Sequence, residues 1–293
     1  MSEQPWKQAR PAFLALFLPP AFWLTLFFLV PLLVIWGYSF GHNSSLTEIT
    51  IDGTFANYAR IGDGVYVQIF LKSIAYAALT TVLCLVVGFP VAIAITFASP
   101  KARPWLLLLI MLPFWTNLLI RTYALMAVLR TTGYANSIIG WFWGLVPGLP
   151  AFEPLPLLHN NFAVVFGLVY VNLPFLVLPL YAALDRLDRS LLEASLDLGA
   201  GHIRTIFEIV VPLALPGILS GLLITFIPAL GSYLTPDLLG GPDSQMIANV
   251  IERQFKRAND WPFGAALSFI LMYLTFFAIA VQTLVARRRK GEG

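Results

Sequence analysis

Six stretches long enough to cross a bilayer dominate this sequence: 12–38, 69–97, 105–129, 162–184, 210–234 and 265–286. Each is mostly apolar over roughly 20 residues or more, the helix length needed to traverse about 30 Å of hydrocarbon. Inside lipid no water satisfies peptide groups, so a spanning segment must be a helix or a strand of a closed barrel. These runs far exceed barrel strands, which take about 10 residues. They therefore predict an all-α membrane protein with six transmembrane helices. Composition agrees, at 58% hydrophobic and 11% charged, against about 25% charged for a soluble domain. The net charge of +3 is too small, and the basic residues too dispersed, to argue for nucleic acid. The one cysteine, Cys84, lies inside an apolar run and has no partner for an internal disulfide.

Prolines interrupt several runs, at Pro31, Pro90, Pro113, Pro174, Pro216 and Pro228. Membrane helices tolerate this where neighbours re-satisfy the freed carbonyls. The first run is too long for a cleaved signal core and reads as a retained helix. With both ends placed in the cytoplasm, the inner side holds eleven basic residues: Lys7, Arg10, Lys101, Arg103, Arg186, Arg189, Arg204, Arg287, Arg288, Arg289 and Lys290. The outer loops hold five: Arg60, Arg130, Arg253, Lys256 and Arg257. The positive-inside rule favours that orientation in a plasma membrane. The expected layout is a cytoplasmic tail over 1–10, one transmembrane domain over 11–287 and a basic cytoplasmic tail over 288–293.

The inner loop over about 185–209 has its own structure in the sequence. Ser190 and Glu193 fit a capping box, in which each side chain satisfies an orphan amide. Leu191, Leu192, Leu196 and Leu198 give a short helix an apolar side, and Gly199 and Gly201 offer left-handed stops. An apolar side on a loop helix must rest on something, either the bundle or another protein.

This loop resembles that of the permeases of ABC importers, whose pattern is E-A-A, three residues, G, nine residues, I-x-L-P. The chain reads Glu193, Ala194, Ser195, then Gly199, then Ile209 and Pro212 at the same spacing, with Ser195 for the last alanine and Val211 for the leucine. Further stretches are similar to permeases of the spermidine/putrescine type: 113–123, 184–188, 227–231, 236–241 and 260–264. The resemblance implies a type I importer permease fold and a coupling helix that docks into an ATPase subunit. It also implies as partners two ATPase subunits, a second homologous permease and a periplasmic solute-binding protein. The chain has no G-x-x-x-x-G-K-[ST] loop, and the one Lys-Ser pair, Lys72-Ser73, follows Leu71 where a glycine belongs. ATP and magnesium are thus expected on the partner ATPase, with no cofactor, metal or catalysis in this chain. His42, His159 and His202 are scattered and read as solvated loop residues.

A polyamine is a flexible multivalent cation, for which carboxylates and aromatic faces are natural hosts, each cation–π contact giving about 0.5–2 kcal/mol. The candidates along a cargo path are Trp115, Asn117, Tyr123, Tyr233 and Asp237. In a continuous third span, Asn117 and Arg121 would share one helix face. An arginine there costs about 2.5–3.5 kcal/mol on insertion scales and repels a cationic cargo. Arg121 is accordingly expected to be structural or gating, paired with a helix end or with Asp237. Asn172 and Tyr170 flank Pro174 and read as patches on a broken helix. The outer stretch 134–161 carries Trp141, Phe142 and Trp143, which suit a membrane interface or a surface under a binding protein. The amphipathic stretch 246–255 reads as a docking edge or gate. The same machine with an opine, another amine, thiamine or ferric ion as cargo remains open. So does an ATP-independent secondary transporter, although the ionisable relays it needs are not evident.

Overall fold

The computed structural model describes residues 10–45, 48–147 and 150–290, and among these the regular structure is helical apart from one short β pair. Of the stretches read above as tails, residues 1–9, with Lys7 among them, and 291–293 lie outside the described residues. The chain divides into two compact units, Met1–Asp63 with Ile251–Met272, and Gly64–Val250 with Tyr273–Gly293.

In the first unit an apolar rod runs over Phe13–Tyr38. It consists of α1 (Arg10–Leu24), a π turn over Thr25–Leu29, and α2 (Val30–Tyr38). The wide turn has a local cause. Pro31 has no N–H to donate and its ring crowds the carbonyl four residues back. The helix accommodates it by letting the Val30 amide reach back five residues to Thr25. Beyond the rod, β1 (Gly41–Asn43) pairs antiparallel with β2 (Ile49–Ile51), His42 opposite Thr50. A short α3 (Ala56–Ile61) follows, and Phe40 gathers the rings of Trp36, Phe55 and Tyr58. Arg60 bonds Asp260 at 2.9 Å and lies 3.9 Å over the buried Phe263 ring.

The second unit is built on three spans: α4 (Gly64–Phe97), α8 (Asn161–Leu184) and α11 (Val211–Leu230). Cys84, Ala92, Ile95, Leu176, Leu180 and Ala214 form part of their shared core. Lipid tails are as apolar as leucine, so close packing must hold these helices together. Small residues make it possible. A β-carbon on Gly217 would stand 2.2 Å from that of Ala183, and one on Gly88 would stand 3.1 Å from Leu176.

Between α4 and α8 lie α5 (Arg103–Met111), a 3-10 turn over Leu112–Trp115, α6 (Leu118–Leu129) and α7 (Tyr134–Gly144). The inner loop contributes α9 (Arg189–Asp197), α10 (His202–Thr205) and a π turn over Ile206–Val210 that leads into α11. After α11 come α12 (Leu234–Leu239), α13 (Ile247–Lys256) and α14 (Trp261–Lys290). The basic residues 287–290 thus continue the last helix.

Among the described residues five helices are long and apolar enough to span a membrane, and the remaining apolar stretch is a bent pair of helices. The continuous third span expected over 105–129 is not there. The axis of Arg103–Trp115 and that of Leu118–Gly144 differ by 95°. Pro113 tightens the helix into a 3-10 turn, Thr116 becomes extended with ψ of 149°, and Asn117 starts a new helix by capping it.

Candidate functional site

The inner loop is pinned by its own polar groups. Asp188 precedes α9 and its carboxylate accepts from the Ser190 amide at 3.0 Å. The backbone and side-chain hydrogen bonds from Ser190 hold this carboxyl below the usual range. The capping box expected at Ser190 and Glu193 is therefore displaced. Ser190 lies inside the first turn, Asp188 does the capping, and Glu193 is exposed.

At the other end Gly199 takes φ of +87°. Its amide donates to Leu196 at 2.9 Å, and the Ala200 amide reaches Ser195 at 3.1 Å. Together these bonds form a Schellman stop, whose left-handed residue is normally glycine. Of the two glycines expected to serve, Gly199 does so and Gly201 keeps φ of −72°. A feature not foreseen is the clasp between Ser195 and Thr205. Both are buried, and their hydroxyl oxygens are 3.0 Å apart, joining α9 to α10. The serine that departs from the family's alanine is thus the residue that makes the clasp.

The loop is also tied to the end of α4. Arg103 donates to the Thr96 carbonyl at 2.8 Å and to Asp185 at 2.7 Å, and Arg189 donates to the same carbonyl at 3.3 Å. Two cations thus sit at the negative end of a 34-residue helix. The expected apolar side divides in two. Leu192 packs against the bundle core, whereas Leu198 at 89% exposure, Ile203 at 74% and Phe207 project outward. Ala194 and Pro212 are exposed and Ile209 is half-buried. Pro212 again follows a π turn, with the Val211 amide bonded to Ile206.

The cargo-path candidates are dispersed. Trp115, Tyr123, Tyr233 and Asp237 are exposed, the last two on and just before α12, which packs against α6. Asn117 and Arg121 do not share a helix face. Asn117 precedes the helix and accepts from the Leu119 amide at 2.8 Å, while Arg121 is 7% exposed. Arg121 reaches back across the break to the Thr116 carbonyl at 3.4 Å, and its Nε and Nη1 are buried without a partner. No ion pair among the described residues joins it to Asp237, so of the two expected partners it meets the helix end. Asn172 is buried and donates to the Leu168 carbonyl at 2.8 Å, one partner of an ordinary helical turn and not the Tyr170 carbonyl that Pro174 frees. The first turn of α13 is core: Ile247 to Val250 are buried, the Ile247 amide bonds Ser73, and Asn249 bonds the Tyr233 carbonyl.

A groove of about 560 Å³ lies elsewhere, along α4, α11 and α14. Ile74, Val82, Leu222, Phe226, Phe277 and Val281 are among its lining. With so few polar groups it offers a multivalent cation nothing.

Residues 7–291 match the family model described as binding-protein-dependent transport system inner membrane component. The chain is 42% identical over 265 residues to the spermidine/putrescine transport system permease protein PotB of Escherichia coli (strain K12), covering 90% of this chain and 94% of that protein. It is 38% identical to PotB of Haemophilus influenzae, covering 87% and 88%. With the inner membrane ABC transporter permease protein YdcU of Escherichia coli it shares 31% identity, covering 92% and 90%. Among solved structures it resembles a chain of a bacterial ABC transporter involved in the import of the acidic polysaccharide alginate. That likeness has a TM-score of 0.69 at 18% identity, covers 97% and 98% of the two chains, and speaks for the fold. With its broken helices, its capped inner loop and a match along nearly its whole length, this chain belongs to the inner membrane components of binding-protein-dependent transport systems and has the type I ABC importer permease fold.

Proposed function

We propose that this chain is one of two membrane subunits of an ATP-driven importer of polyamines such as spermidine and putrescine, forming half of the path by alternating access. The cargo reading rests on 42% identity, over 90% of the chain, to a spermidine/putrescine permease. The observation that carries the mechanism is the exposed edge of Leu198, Ile203 and Phe207, held on a scaffold clasped from behind by Ser195 and Thr205. Such an apolar edge outside the membrane needs cover, and an ATPase subunit supplies it.

Two ATPase subunits, a homologous second permease and a periplasmic solute-binding protein complete the machine. ATP and magnesium are held by the ATPases, and this chain catalyses nothing. Both termini face the cytoplasm, following the distribution of lysine and arginine. Closure of the ATPase dimer drives the switch because it contacts the two permease states differently. Glu193, Ala194, Ser195, Gly199, Ile209 and Pro212 make up the coupling element. Trp115, Tyr123, Tyr233 and Asp237 offer rings and a carboxylate to amines, and Asn117 and Arg121 shape the break.

The test is reconstitution with the ATPase, the second permease and the binding protein, measuring ATP-driven spermidine uptake. The double variant Leu198→Glu, Ile203→Glu should insert normally yet lose both the co-purifying ATPase and uptake. Undiminished uptake, or an ATPase that stays bound, would reject the docking edge. Uptake of an opine or a ferric chelate with none of spermidine would reject the cargo and leave the machine standing.

A further inference from the structure

The helix α7 carries a surface that none of the described residues covers. Tyr134, Ile138, Trp141, Phe142 and Leu145 are all between 56% and 72% exposed. Their spacing of four, three, one and three residues puts them on one helical stripe. The opposite side is fastened to the stretch that follows. Asn136 donates to the carbonyls of Arg130 at 3.2 Å and Leu155 at 3.0 Å, and accepts from the Leu155 amide at 2.8 Å. Gly140 lies against the Phe152 ring, where a β-carbon would stand 2.9 Å away. The Trp143 indole donates to the Pro150 carbonyl at 3.0 Å. The stripe is therefore held outward by contacts at 136, 140 and 143.

Charge decides what meets it. From Thr131 to Phe152 the sequence has no Asp, Glu, Lys or Arg. A surface built for a soluble partner has a polar rim around an apolar centre, whereas here charges stand only at the two ends of the stretch, at Arg130 and Glu153. Tyrosine and tryptophan, by contrast, concentrate at the headgroup boundary of a bilayer, where an amphipathic ring has both its environments.

We infer that α7 lies in the interfacial layer of the lipid bilayer, with the stripe Tyr134–Ile138–Trp141–Phe142–Leu145 against the acyl boundary. The occupant of this surface is lipid.

The test uses the assembled importer in nanodiscs of phosphatidylcholine and phosphatidylglycerol. A nitroxide is attached at Ile138→Cys in a Cys84→Ala background, and its collision rates with oxygen and with a water-soluble nickel chelate are measured. A second label at Glu153→Cys reports an aqueous site, since Glu153 is an exposed carboxylate, which the hydrocarbon excludes. The oxygen-to-nickel ratio at position 138 should be several-fold higher than at 153. A ratio equal to that at 153 would put the stripe in water, and shielding from both reagents would mean a protein covers it. Either result overturns the assignment. The readout requires no transport and is independent of the cargo.

Discussion

Ser195 and Thr205 meet through hydroxyl oxygens 3.0 Å apart, and both residues are buried. This contact makes the two short helices of the inner loop one body. Replacing Ser195 with Ala should be mild, at about 0.5–1.5 kcal/mol for a lost neutral hydrogen bond, because Thr205 still donates to the Gly201 carbonyl. Ser195→Asp should be severe, since it buries a carboxylate with a single partner. Thermal unfolding and ATPase co-purification will separate the two, with uptake kept in the first and lost in the second.

Gly199 tests backbone strain in isolation. Its φ is +87°, and an added β-carbon would meet nothing within 4 Å. A loss on Gly199→Ala is therefore purely conformational, about 1–2 kcal/mol. Asparagine tolerates the left-handed region better, so Gly199→Asn should retain more uptake than Gly199→Ala. Hydrogen exchange at the amides of residues 199 and 200 should quicken more in Gly199→Ala than in Gly199→Asn.

Arg121 places a buried guanidinium beside the start of a helix, with two donor nitrogens unpaired. Replacing an imperfectly paired buried charge by an apolar residue of similar volume is often neutral or stabilising by about 1–4 kcal/mol. Arg121→Met should accordingly keep or raise the thermal midpoint. Uptake should nonetheless fall several-fold, because the Thr116 carbonyl loses the donor that reaches across the break. A variant with unchanged uptake would leave Arg121 without a gating role.

Asp188 makes the cap of α9 sensitive to acid. Its carboxyl is held below the usual range by hydrogen bonds from Ser190. The stabilisation is present above the ordinary carboxylate value, about 3.9, and is lost as pH falls below it through the lowered value of the folded state. Protection of the amides at residues 190–192, taken relative to their intrinsic exchange at each pH, should therefore fall on acidification below about pH 4. Asp188→Asn, a comparable cap, should remove that dependence while keeping the helix.

The sequence and the structure agree where hydropathy speaks alone. Five of the expected spans appear with ends shifted by only a few residues for most, because a run of apolar side chains in lipid has one solution. They part where short polar residues decide. Asn117 looked like a polar residue at membrane depth but is a cap, and no local pattern distinguishes the two until the chain is seen to turn at Pro113. Ser190 and Asp188 are equally good caps on paper. The choice falls to Asp188 because Leu187 and Leu192 both pack on the core, which fixes where the helix can begin. The clasp of Ser195 with Thr205 joins residues ten apart across a glycine turn, and only the folded loop brings them together. Glu193, Gly199 and Pro212 were legible because motif spacing carried them. The cargo-path residues were read from chemistry alone, and the fold gathers them into no single enclosed pocket.

The π turn before Pro212 has a mechanical result. An imino acid contributes no rung to the helical ladder, so the joint between the docking loop and the span behind it lacks one of the bonds that stiffen an ordinary helix. Below the joint is a clasped lever, and above it is a close-packed trunk. On the coupling role proposed above, a push delivered to this loop would swing it about that joint, and a single ring in the sequence fixes where the joint lies.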